Sequence, residues 1–70
     1  VQGEARYANS LDVGFNAAEF ILEFTQSYPD EPPVVVVRIV TSPLNARAFL
    51  ATLSDAIQKF EESFGPLTEE

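Results

Sequence analysis

Two pairs of adjacent carboxylates, Asp30-Glu31 and Glu61-Glu62, are the residues of this sequence best suited in type to acid–base chemistry, but their spacing argues against it. A general acid and a general base need carboxyls in different surroundings that face one substrate. Neighbours on a helix diverge by about 100°, and Asp30-Glu31 stands among Pro29, Pro32 and Pro33. Both pairs read as solvated charges. The serines Ser10, Ser27, Ser42, Ser54 and Ser63 have no His to activate them, and Ser63, four residues after Lys59, suits a surface contact. The sequence has no His and no Cys, which removes the commonest metal ligands and the commonest base at neutral pH. Its acids do not alternate as in a calcium loop, and Gly3, Gly14 and Gly65 are too scattered to cradle a phosphate. No enzyme, metal site or cofactor is therefore expected. Tyr7 and Asn9 remain as a candidate recognition edge, set against the plainer reading in which Tyr7 packs at a sheet edge and Asn9 bonds local backbone.

Seventy residues allow one small domain, and a chain of this size is marginal without a staple. Disulfides and thiolate metal sites are ruled out by composition, so oligomerisation is the staple left. Six Phe, two Tyr and a 46% hydrophobic fraction are too apolar for a disordered chain, even at a net charge of -7. Eleven acidic residues against four basic ones argue against nucleic acid, whose affinity comes from Lys and Arg releasing counterions. The acidity serves solubility, or docks a basic protein. No apolar run approaches the ~20 residues that span a bilayer, and no signal peptide is visible. A cytoplasmic protein without membrane contact is the expectation.

The elements are legible from their punctuation. Between Thr41 and Gly65 lies one amphipathic helix with Ser42 as N-cap, Pro43 at the first position, and Gly65-Pro66 as the stop. Ala46, Phe49, Leu50, Leu53, Ile57, Phe60 and Phe64, widened by Ala56, form its apolar stripe and are the expected helix core. Upstream, Tyr7, Asn9, Leu11, Val13 and Phe15 alternate as one strand face, and a second strand follows from about Glu19 to Gln26. A helical reading of Ala17 to Thr25 competes, since Phe20 and Phe24 stand at i, i+4. The Pro-rich loop Ser27 to Pro33 leads into a third strand, Val34 to Val40, apolar on both faces but for Arg38.

The expected fold is α+β: a three-stranded antiparallel meander followed by one long C-terminal helix, βββα, as a single domain with residues 1–5 and 68–70 frayed. The helix is expected to cover the face of Leu11, Val13, Phe15, Phe20, Leu22 and Phe24, joined by Val35, Val37 and Ile39. Val34, Val36, Arg38 and Val40 then point away from it and form the expected oligomer interface, occupied by another copy in a homodimer or higher even-numbered oligomer.

The strings Tyr7-Ala8-Asn9-Ser10, Glu19-Phe20, Glu23-Phe24, Arg38-Ile39-Val40-Thr41-Ser42-Pro43, Ala46-Arg47, Lys59-Phe60-Glu61 and Phe64-Gly65 resemble the small bacterial domain-of-unknown-function family 3467. The likeness runs from about Tyr7 to Leu67 and implies a compact bacterial domain with no assigned activity. A fainter architectural likeness is to SecB, the export chaperone, whose sheet-plus-helix subunits assemble and hold unfolded chains. It rests on an acidic chain, an early Tyr-containing strand and an expected strand-mediated assembly. The expected function is thus a non-enzymatic, self-associating interaction or assembly module with an unidentified protein partner, and the alternative is a chaperone-like binder of apolar peptides.

Overall fold

The computed structural model describes residues 3–68, so the fraying expected at residues 1, 2, 69 and 70 lies outside it. Three strands, β1 (Ser10–Phe15), β2 (Phe20–Gln26) and β3 (Val34–Thr41), precede one helix, α1 (Pro43–Phe64). The strands form an antiparallel sheet in the order β1-β2-β3, the expected βββα meander.

Local chemistry explains each junction. The Asn16 side-chain oxygen accepts from the backbone amides of Ala18 at 2.8 Å and Glu19 at 2.9 Å, and the Asn16 backbone amide donates to the Glu19 carbonyl at 3.0 Å. This closes the β1–β2 hairpin and starts Phe20 as a strand, which excludes the competing helix. Between β2 and β3, Pro29 precedes Asp30 at φ 69°, and the Glu31 amide donates to the Tyr28 carbonyl at 3.3 Å. A positive φ at the third residue of the turn, directly after Pro, is the pattern of a type II turn. The helix begins where Ser42 Oγ accepts from the Asn45 amide at 3.1 Å, with Pro43 in its first turn, and ends at Gly65, whose φ of 91° an L side chain rarely adopts.

The register divides the sheet into two unlike faces. Leu11 pairs with Phe24 and Val13 with Leu22, while Phe24 pairs with Val37 and Leu22 with Ile39, so these apolar residues share one face. Phe15 stacks on Phe20 with ring centroids 5.6 Å apart and extends that face at the hairpin end. The other face carries the rows Ser10-Thr25-Val35, Asp12-Glu23-Arg38 and Gly14-Ile21-Val40. Its central row is charged, while the row Gly14-Ile21-Val40 is apolar.

Two expectations need correction. A register shift between Phe24 and Thr25 pairs Val35 with Thr25 and Val34 with Gln26, leaving Val36 as an extra residue in β3. Such a bulge reverses the alternation beyond it. Arg38 and Val40 do lie opposite the helix side, but Val34, paired with Gln26, does not continue that row, and Val35, paired with Thr25, does not join Val37 and Ile39.

The second correction concerns the core. Among the described residues no hydrophobic side chain is buried, and the one buried residue is Thr25, 5% exposed in the central strand. Of the expected helix core, Ala46 is half-buried, while Phe49, Leu50, Leu53, Ile57, Phe60 and Phe64 are exposed. The helix stands over the apolar sheet face without closing on it. The chain's radius of gyration, 14.5 Å, exceeds the ~11 Å expected of a compact chain of this length.

Candidate functional site

Between sheet and helix these elements build an apolar cleft. Leu11 and Val13 from β1, Phe20, Leu22 and Phe24 from β2, and Ile39 from β3 form its floor. Ala46, Phe49, Leu50 and Leu53 from α1 form its wall, and the space enclosed is about 520 Å³. Among the described residues no titratable side chain lines it. Its surface suits apolar side chains and offers nothing to orient a polar substrate.

Only the first half of the helical stripe borders the sheet. The second half forms a separate apolar patch, in which Ala56, Ile57 and Phe60 meet Leu67 from the segment after the helix. Phe64 rests against Phe60 with ring centroids 5.1 Å apart and is 78% exposed.

Three of the four cations are paired with nearby carboxylates. Arg38 bonds Glu23 on the sheet face turned away from the helix, Arg6 bonds Glu4 at 3.0 Å, and Lys59 pairs with Asp55 one helical turn away at 3.2 Å. Lys59 therefore has a carboxylate partner instead of Ser63. Asp30 and Glu31 sit exposed on the turn before β3. Glu61 and Glu62 separate as helical geometry requires: Glu61 accepts from the Leu67 amide at 3.3 Å, and Glu62 from Gln58 Nε2 at 3.5 Å. Among the described residues no group of three or more acids is placed to hold a metal ion, and no helix is long and apolar enough to cross a membrane.

Asn9 is structural. Its side chain donates to the Ser27 carbonyl at 3.0 Å and accepts from the Ser27 amide at 2.9 Å, imitating a backbone pair and prolonging the β1–β2 ladder past Ser10. Tyr7, 64% exposed, is held by its backbone, whose carbonyl accepts from Gln26 Nε2 at 2.9 Å.

The role of Glu61 as a tether for Leu67 was not read from the sequence. An acid four residues before the helix-ending Gly65 was a visible signal, since its charge opposes the helix dipole and so asks for another use.

The family model described as "Protein of unknown function (DUF3467)" matches residues 2–69, nearly the whole chain. No curated protein and no solved structure matches it.

Proposed function

We propose, from the premise that the chain belongs to the DUF3467 family, that it is a non-enzymatic module whose fold and function depend on self-association. The observation that carries this reading is the absence of any buried hydrophobic side chain among the described residues of a 46% hydrophobic chain. A 7.7 kDa folded monomer exposes about 4,300 Å², whereas this chain exposes 6211 Å². The excess is larger than the ~800 Å² that each partner gives to a standard stable interface.

An exposed edge and an open apolar cleft would aggregate unless something covered them. Nucleic acid does not fit: the net charge is -7, and Arg6, Arg38 and Lys59 are already paired with carboxylates. We place the module in the bacterial cytoplasm, a setting that suits a domain using no disulfide.

Light scattering combined with a dye that reports apolar surface tests the reading. A stable homo-oligomer that leaves the dye dark supports it. A folded monomer contradicts it, and an oligomer that lights the dye and binds apolar peptides would make it a chaperone instead.

A further inference from the structure

Two features of α1 break the rules of an isolated helix. Arg47 stands near the positive N-terminal end, and Glu61 and Glu62 stand at the negative C-terminal end, with no acid in the first turn and no base in the last. Both would be favourable beside a second helix running the opposite way, because each end then lies against the opposite pole of its neighbour. The spacing supports that arrangement. Arg47, Ser54 and Glu61 recur every seven residues on one flank of the apolar stripe, so they form a straight row with a small residue at its centre and opposite charges at its ends. Such a row is complementary to itself only when reversed, which is the property of a two-fold interface. Arg47 is exposed and makes no ion pair among the described residues.

The apolar surfaces lead to the same geometry. The sheet floor faces the helix only from Ala46 to Leu53, about a third of a helix ~33 Å long. Ile57, Phe60 and Phe64 continue the same stripe beyond the sheet and face the same way. A two-fold axis near Ser54 carries them over the sheet of a second copy while that copy's Ile57, Phe60 and Phe64 return the contact. One operation covers both open surfaces.

Resting on the self-association reading above, we propose that the cleft's occupant is a second copy of this chain. Two α1 helices pack antiparallel, the C-terminal half of each lies over the apolar sheet face of the other, and Arg47 of each copy meets Glu61 of the other.

Charge reversal at the two ends of the row tests this on the full chain. Arg47→Glu alone sets acid against acid across the axis, and Glu61→Arg alone sets base against base. Each homodimer should weaken on the order of tenfold at low salt. Mixing the two variants puts opposite charges at both ends again, so native mass spectrometry should find the heterodimer in clear excess over the statistical half. A statistical mixture of undiminished dimers would overturn the helix pairing while leaving self-association standing. Wild-type chain that is folded yet monomeric would overturn both.

A second measurement needs no variant. In a dimer assembled from isotope-labelled and unlabelled wild type, isotope-filtered NMR should show contacts between the Phe60 ring and the Leu22 methyls of different copies. Intermolecular contacts confined to Arg38 and Val40 would overturn the proposal.

Discussion

Arg38 donates from Nε at 2.8 Å and from Nη2 at 2.6 Å to one carboxylate oxygen of Glu23, its direct partner across β2 and β3. The pair sits on the sheet face turned away from the helix, with Asp12 completing the row. That row sets two carboxylates against one guanidinium, so it is poorly suited to burial against an apolar partner. Because the Arg38 side chain is 61% exposed, the pair contributes at most about 1 kcal/mol. Arg38→Ala should lower the melting temperature by less than about 8 °C and leave the oligomer seen by light scattering unchanged. Dissociation would return the interface to this face.

Ser42 and Gly65 define the helix ends through different physics. Ser42→Ala removes an acceptor for the Asn45 amide and should cost ~1 kcal/mol, whereas Ser42→Asp should retain most of the stability. Gly65→Ala forces a side chain into φ 91° and should also destabilise, although open space surrounds the position. Thermal melts followed by circular dichroism distinguish these outcomes. A neutral Gly65→Ala would contradict the backbone explanation of the helix stop.

Asn9 and Ser27 exchange hydrogen bonds in place of a regular strand pair. In Asn9→Ala the Ser27 amide should exchange with deuterium faster, while amides in mid-helix keep their protection. Asn16→Ala should act likewise on Ala18 and Glu19 and cost ~1 kcal/mol. Unchanged exchange at Ser27 would show that its protection has another source.

Much of this fold was legible because its signals are local. Ser42-Pro43 and Gly65-Pro66 mark the helix by dihedral preference and capping, and the alternation of Leu11, Val13 and Phe15 marks β1 by the two-residue period of a strand. Register was legible only where neighbours differ. Val34, Val35, Val36 and Val37 are identical, so no side chain distinguishes one pairing from the next, and the bulge at Val36 left no trace in the sequence. The stripe from Ala46 to Phe64 showed that a face must be covered. It did not show by what, because periodicity records the need for a partner surface without identifying the chain that provides it.

Leu53 discriminates between a helix stabilised within its own chain and one stabilised by association. At 60% exposure in a single copy it contributes little there. Buried in an assembly, Leu53→Ala should cost ~2–5 kcal/mol and move sedimentation toward smaller or unfolded species. Val40→Glu, on the sheet face turned away from the helix, should change the sedimenting species far less. Equal sensitivity at the two positions would contradict the assignment of the interface to the helix side.

The central claim is that this chain completes its core with another copy of itself. Thermal unfolding of the wild type across a wide range of protein concentration tests it most directly, because a fold held together by association gains stability by mass action. The expected result is a melting temperature that climbs steadily with concentration, with folded signal and oligomer lost together on dilution. A cooperative transition at one temperature throughout the range, in a species of monomer mass, would contradict the account.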